Sequence, residues 1–262
     1  MHIGLFDSGV GGLTVLREIK KVLPQAQFTY LGDTARLPYG NKAPVTLRQY
    51  TTENIQFLDS LNVDVIVIAC HSASSFALDL NSSAQGTPIF NVIGPSCVEA
   101  LNQTHNKRIG ILATKATTKS GVYSRYINDL DSKAQVFSQQ APLLVPLVEE
   151  DYGDEEVTQI ILKSYLTPLL RQDVDTIVLG CTHYPILMHQ ISQLCGSQVT
   201  LIDPARSVAE SLAPLMKEPS QEAGEMNIYL TDHAPHFLEH AAQLLNSSRP
   251  LLALKPLGPT AK

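Results

Sequence analysis

No apolar stretch in this sequence is long enough to cross a bilayer. Val65 to Cys70 is typical of the longest, whereas a spanning helix needs about 20 such residues. The N-terminus has no basic region followed by an apolar segment and runs straight into Ile3-Gly4-Leu5-Phe6. Without a signal peptide, a cytoplasmic location is expected. Basic residues form no cluster, and 19 Lys+Arg against 25 Asp+Glu give a formal net charge of −6. A chain with no phosphate-tracking surface is not expected to bind nucleic acid directly, and nothing in it predicts a membrane partner. Cysteine is scarce as well. Cys70, Cys97, Cys181 and Cys195 include no C-x-x-C pair, which argues against a disulfide framework and against a zinc site. They are expected as free thiols, and a free thiol is most often a small buried hydrophobe.

What is present is the composition of a globular protein. The 262 residues are 44% apolar and 17% charged, enough for one large domain or two ordinary ones. Short apolar runs alternate with helical patterns. Ile3-Gly4-Leu5-Phe6 ends at Asp7-Ser8-Gly9-Val10-Gly11-Gly12, after which Leu13, Leu16, Ile19, Val22 and Leu23 keep a helical spacing until Pro24. Phe28 to Leu31 reads as a strand, Thr51 to Leu61 as a helix, and Val63 to Ala69 as a strand with almost no alternation. Near-continuous β-branched runs between helices predict parallel strands covered on both faces, hence an α/β fold.

The pattern also repeats. Val63-Asp64-Val65-Ile66-Val67-Ile68-Ala69-Cys70 aligns with Val174-Asp175-Thr176-Ile177-Val178-Leu179-Gly180-Cys181. Ile3 to Ser8 aligns with Ile109 to Thr114, and Asn91 to Ser96 with Thr200 to Ala205. Three strand ends in the same order predict two pseudo-symmetric α/β domains with mainly parallel sheets. We expect a discontinuous first domain, residues 1–96 with 208–262, and a second at residues 97–207. Ligands of open parallel sheets sit beyond the carboxyl ends of the strands. Facing halves would bring those ends into one cleft, with Cys70 and Cys181 on opposite walls.

Each of these two cysteines follows an apolar strand and precedes hydroxyl-bearing residues at an expected helix start, a setting that favours a thiolate. A thiolate on one side of a carbon and a thiol on the other can remove a proton from one face and return one to the opposite face. Asp7 and His183 stand in the sequence where each could assist one thiol. Their plainer roles would be a helix cap for Asp7 and a packed imidazole bonded to a carbonyl for His183. The glycine loop after Asp7 is a weak match to a dinucleotide fingerprint, because Thr14 stands where the third Gly belongs. Such a loop still offers backbone N–H groups to a small anion. Ser8, Ser72, Thr114, Thr117, Thr118 and Thr182 cluster just after strands, where the only cations are Lys115 and Lys119. A cleft built that way would hold carboxylates through neutral donors, although some of these hydroxyls also suit helix caps.

Asp7-Ser8-Gly9-Val10-Gly11-Gly12-Leu13-Thr14, Gly32-Asp33-Thr34-Ala35-Arg36-Leu37-Pro38-Tyr39-Gly40, Pro146-Leu147-Val148-Glu149 and Gly180-Cys181-Thr182-His183-Tyr184-Pro185 closely resemble the aspartate/glutamate racemase family, and within it the enzymes that interconvert L- and D-glutamate. The resemblance runs from residue 3 to about residue 210. It implies a two-domain α/β fold with the site between the domains. It also implies D-glutamate supply for peptidoglycan and hence for cell-wall biogenesis and cell shape. The family uses neither pyridoxal phosphate nor a metal, and its members are often homodimers. Carried over by motif, Cys70 and Cys181 are the catalytic pair, assisted by Asp7 and His183, with Glu149 a further polar residue near them. Ser8, Pro38, Tyr39, Gly40, Thr114, Thr117 and Thr182 would contact substrate.

The sequence departs from the family at one motif. Where the family has Cys-Asn-Thr-Ala, this chain has Cys70-His71-Ser72-Ala73, so His71 and Ser72 fall at substrate-contacting positions. An ordinary imidazole titrates near pH ~6.5, and His71 in the cleft would be expected to add an acid limb to the activity. Two other functions compete with glutamate racemisation. One is racemisation of aspartate or another small acidic substrate. The other is a weakly active binding protein on the same fold, of the kind that inhibits DNA gyrase.

Overall fold

The computed structural model describes residues 1–152, 155–215, 224–232 and 236–245. Parts of the expected returning segment, residues 216–223, 233–235 and 246–262, lie outside them. The described strands are β1 (His2–Asp7), β2 (Gln27–Gly32), β3 (Val65–Ile68), β4 (Ile89–Asn91), β5 (Arg108–Ala113), β6 (Gln135–Gln140), β7 (Thr176–Gly180), β8 (Thr200–Ile202) and β9 (Met226–Leu230). They form two sheets, ordered β4-β3-β1-β2-β9 and β6-β5-β7-β8. Every pairing between these strands is parallel. Reading the second sheet backwards gives β8-β7-β5-β6, the order of β4-β3-β1-β2 in the first. The two halves therefore share a topology, and β9 is an addition beside β2.

The repeat holds at the level of register. Ile3 pairs with Val65 in the first sheet, and Ile109 with Thr176 in the second, which are the partners that the sequence alignment places at equivalent positions. The third alignment needs correction. Ile66 pairs with Ile89, while its counterpart Ile177 pairs with Leu201. Asn91 is thus equivalent to Asp203, not to Thr200. Their chemistry agrees: Asn91 Oδ1 accepts from the Ile93 N–H and Asp203 Oδ1 from the Ala205 N–H, each at 3.0 Å. The sequence match had followed the prolines. Pro204 opens its helix at the first turn, where its missing N–H leaves no bond unmade, whereas Pro95 sits inside the helix Ile93–Gln103.

Local signals mostly stop and start the elements where the sequence places them. The first helix, Gly12–Val22, ends before Pro24 with Lys20 and Lys21 in its last turn, where cations oppose the helix dipole favourably. The next begins earlier than its apolar spacing indicates, at Pro44 and not Thr51, because Pro at the first position is already set for a helix. The strands β1, β3 and β7 are buried almost end to end, as parallel strands covered on both faces require. One hydrophobic cluster crosses from sheet to sheet, running from Ile3 and Leu5 through Leu13, Leu16 and Ile93 to Ile109, Val178 and Val208. Each fully buried aliphatic side chain in it contributes about 1.5–3 kcal/mol.

The halves touch closely at Gly11. A Cβ there would lie 2.5 Å from both His183 Nδ1 and Thr182 Oγ1. Gly11 has an ordinary right-handed helical φ of −56°, so only space demands glycine. Overpacking of this kind costs about 1–3 kcal/mol. Gly11→Ala is expected to lower Tm by several degrees and to speed labelling of Cys70 and Cys181 by a thiol reagent. Unchanged melting and labelling would mean that the halves do not meet at this point.

Candidate active site

Ser8 follows β1, Cys70 follows β3, Thr114 follows β5 and Cys181 follows β7. The carboxyl ends of four parallel strands, two from each sheet, therefore meet at one place. The two thiols line the same cavity, together with Ser8, the loop Pro38-Tyr39-Gly40, His71-Ser72 and the pair Thr182-His183. Val145, which no sequence pattern marks, completes the wall with Thr114. The enclosed room is about 10 Å³, roughly what a single water needs. Cys70 is 5% exposed and Cys181 6%. All four cysteines of the chain are free. Among the described residues, no three His, Cys, Asp or Glu side chains are grouped to hold a metal ion.

The Cys181 side is a chain of three groups. Cys181 Sγ lies 3.8 Å from His183 Nδ1, and His183 Nε2 lies 2.5 Å from Glu149 Oε1. Glu149 stands outside the lining, behind the imidazole. Burial alone would depress the His183 imidazole, but its hydrogen bonds to Cys181 and Glu149 outweigh burial and hold it well above its ordinary value. Burial acts on Glu149 in the opposite sense, and the bond to His183 overcomes it, leaving that carboxylate below its usual range. His183 is thus not the carbonyl-bonded packing residue that its sequence position also allowed.

The Cys70 side is built on Asp7, which is 0% exposed. Burial pushes this carboxyl above the usual range, against the pull of His183 and of the Gly9 and Gly12 N–H groups. Those N–H groups donate to Asp7 Oδ2 at 3.3 and 3.0 Å. Asp7 is therefore a cap for the first helix as well as a neighbour of the thiol, and two N–H groups of the glycine loop are turned to it and away from the cavity. Cys70 corrects an expectation. Burial, followed by the nearby Asp7 carboxyl, pushes the thiol well above its ordinary value. The N–H groups of Ser72 and Ala73 pull the other way and do not win. The helix they open, His71–Ser74, is a single turn, too short for a strong dipole.

Hydroxyls join the two sides. Thr182 Oγ1 lies 3.3 Å from Asp7 Oδ2 and 3.4 Å from His183 Nδ1. Ser72 Oγ meets Thr114 Oγ1 at 2.9 Å, and Thr114 reaches Thr117 at 3.1 Å. Thr117 sits behind the wall rather than on it. Lys115 and Lys119 are exposed, and no Lys or Arg lines the cavity. Thr118 is not part of the lining either.

A second network holds the Pro38-Tyr39-Gly40 loop. Buried Asp33 accepts from the Tyr39 hydroxyl, from Arg36 Nε at 2.6 Å and from Thr231 Oγ1 at 3.0 Å, and Asn54 donates to the Tyr39 oxygen at 3.0 Å. Thr14 donates to the carbonyls of Gly11 at 2.8 Å and Thr182 at 3.2 Å. It is a tie between the halves where a third fingerprint glycine would have offered none. Asn54 and Thr231 were not singled out from the sequence, because their partners come from distant segments, whereas Arg36 lies in the quoted motif, three residues from its partner Asp33.

His71 also differs from expectation. Its ring is 2% exposed and lies against Tyr123, centroids 6.4 Å apart at 23°. Burial holds the imidazole down at about 3, so it is uncharged across the working range and supplies no acid limb near neutrality.

Two parallel sheets that present one buried thiol each, backed by a carboxyl on one side and an imidazole–carboxylate pair on the other, define a protein built for proton exchange at a single enclosed centre. A sequence profile of the Asp/Glu/Hydantoin racemase family matches residues 11–212, and the chain belongs to that family. It is 41% identical over 238 residues to a glutamate racemase of Sulfurihydrogenibium sp. (strain YO3AOP1), covering 90% of this chain and 91% of that one. Its structure matches that of glutamate racemase isoform RacE1 from Bacillus anthracis with a TM-score of 0.90 at 31% identity, over 99% and 98% of the two chains. It also matches the Francisella tularensis glutamate racemase solved in complex with D-glutamate, with a TM-score of 0.89 at 30% identity, over 98% and 97%.

The neutral state of His71 has a measurable sign. Its folded value is depressed to about 3 from an unfolded value near ~6.5. Between those values the unfolded chain binds a proton that the folded chain refuses, so stability is lost as pH falls from about 6.5 toward about 3. Relative to His71→Asn, the protein should lose about 1.4 kcal/mol per pH unit below ~6.5, read by denaturant unfolding at stepped pH. Parallel curves would show that the ring is not held neutral.

Proposed function

We propose that the protein interconverts L- and D-glutamate without an organic cofactor or metal, by two-thiol proton transfer at the α-carbon. The observation that carries this reading is the meeting of Cys70 and Cys181 in one closed cavity, each with its own proton partner. Cys181, with His183 beside it as proton partner, takes the α-proton from one face. Cys70, a protonated thiol in the resting cavity, donates its proton to the other face. Asp7, raised above the usual carboxylate range, is then suited to accept a proton when Cys70 must act as the base for the opposite enantiomer. Glu149 keeps His183 oriented and favours its charged form.

The roles of the remaining residues follow from their place on the wall. Ser8, Tyr39, Ser72, Thr114 and Thr182 offer hydroxyls, Pro38 and Gly40 offer backbone and shape, and Thr117 holds Thr114. Glutamate cannot enter a space of about 10 Å³, so the reading requires the lobes, residues 1–96 with 208–262 and residues 97–207, to part for each substrate. Among the described residues, no helix is long and apolar enough to cross a membrane. The same reading places the enzyme in the cytoplasm as a homodimer, supplying D-glutamate for peptidoglycan.

The test is racemisation followed by circular dichroism from each pure enantiomer, without added cofactor. Cys70→Ser and Cys181→Ser should each slow it by at least about 1000-fold, since a hydroxyl hardly ionises near neutral pH. Either variant retaining near-native turnover in both directions would rule out the two-thiol mechanism.

A further inference from the structure

Away from the cavity, a histidine and an aspartate from different parts of the fold meet. The helix Phe237–Leu245 rests on the first helix, with the Phe237 ring 6.3 Å from that of Tyr30. The helix Leu144–Glu149 packs instead with the second sheet, where Leu144, Val145 and Val148 join Leu162 and Leu179. Between the two helices lies a recess of about 180 Å³, bordered by Val148, Ile186 and Leu187 from one side and by Gln243 and Leu244 from the other. At this recess His240 Nε2 lies 2.9 Å from Asp151 Oδ1. His240 is buried, while the Asp151 side chain is largely in solvent.

The backbone of Asp151 gives the contact meaning. Its φ is +62°, in the left-handed region that glycine enters most easily. The Asp151 N–H donates to the Val148 carbonyl at 3.3 Å and the Tyr152 N–H to the Leu147 carbonyl at 2.8 Å, a helix ending at which glycine is the usual residue. Aspartate gives up the easier backbone there and gains a carboxylate within reach of His240. Asp151 also stands just beyond Glu149, whose carboxylate holds His183. Against burial, His183 draws Glu149 below the usual carboxylate range, and His240 adds a smaller pull in the same sense.

We propose that His240 and Asp151 form a clasp between the lobes, which fixes the end of the helix Leu144–Glu149, keeps Glu149 behind His183 while the cavity is closed, and parts when it opens. Both are positioning residues that act on the Cys181 side through Glu149 and His183. The need for opening rests on the proposed function; the contact and its place beside Glu149 do not. Asp151 suits a contact that must part, because an acid largely in water is not stranded when its partner leaves, and pairs of this kind are individually weak.

The experiment compares the full-length protein with Asp151→Gly, His240→Leu, the double variant and His240→Gln. It measures Tm, KM and kcat from each enantiomer, labelling of Cys70 and Cys181 by a thiol reagent read peptide by peptide, and the NMR signal of the proton between His183 and Glu149. Asp151→Gly and His240→Leu should each speed labelling about 3- to 10-fold and raise KM by a similar factor, with the proton signal broadened. Asp151→Gly should do so without lowering Tm, since glycine suits the left-handed turn. The double variant should match the singles, because the second change has no contact left to remove. His240→Gln sets an amide N–H near the place of Nε2 and should restore labelling, KM and the proton signal. Labelling or KM unmoved by Asp151→Gly, single effects that multiply in the double variant, or no rescue by His240→Gln overturns the proposal. Should His240→Leu not fold, Asp151→Gly and His240→Gln decide. If labelling and the proton signal respond as expected but the unsubstituted protein does not racemise glutamate, the clasp stands and the proposed reaction fails instead.

Discussion

The structure depends on keeping the Asp7 carboxyl inside the protein. A carboxyl with no exposure is tolerable only if its oxygens are occupied, and the groups that occupy them come from separate parts of the chain. The Gly9 and Gly12 N–H groups fix the turn into the first helix. The Thr182 hydroxyl comes from the other half. The Asp7 carbonyl accepts from the Asp33 N–H at 2.8 Å, which leads into the network around Tyr39. One buried acid thus sets the glycine loop and the approach of the second sheet, while the main chain of the same residue leads to the loop that lines the cavity. The close contact at Gly11 and the tie made by Thr14 follow from that approach.

Much of this was legible in the sequence because parallel strands leave strong marks. Val65 to Ile68 and Thr176 to Gly180 are nearly unbroken apolar runs, and each ends in a cysteine at the same step of a repeat. Two strands paired in the same register at both ends of such a repeat leave little freedom in where their termini point. Short strands carry less information. β4 and β8 have three residues each, and the prolines near them favour a shifted alignment, whereas strand pairing makes Asn91 equivalent to Asp203.

What could not be read was whatever depends on burial. A helix start after Cys70 argues for a thiolate, but a single turn of helix cannot offset a dry setting beside a carboxyl. An imidazole at residue 71 reads as a titrating group, yet removal from water makes it a neutral one. Val145, Asn54 and Thr231 enter the site or its support through contacts between distant segments, and no local pattern marks them. Glu149 was found through a motif and not through chemistry; its bond to His183 explains afterwards why a carboxylate stands there.

The closeness of the cavity also bears on durability. Cysteines that serve as acids and bases are at risk in any cell that meets peroxide, because a thiolate is oxidised in proportion to its ionisation and its access. Here one thiol is kept protonated by its surroundings and both lie behind a wall that admits no more than a water-sized guest. If the proposed function holds, an oxidant would wait for the same opening that substrate uses. Damage to the pair would then be tied to the frequency of opening, and a protein at rest between turnovers would shelter its two sulfurs without a disulfide or a dedicated reductant.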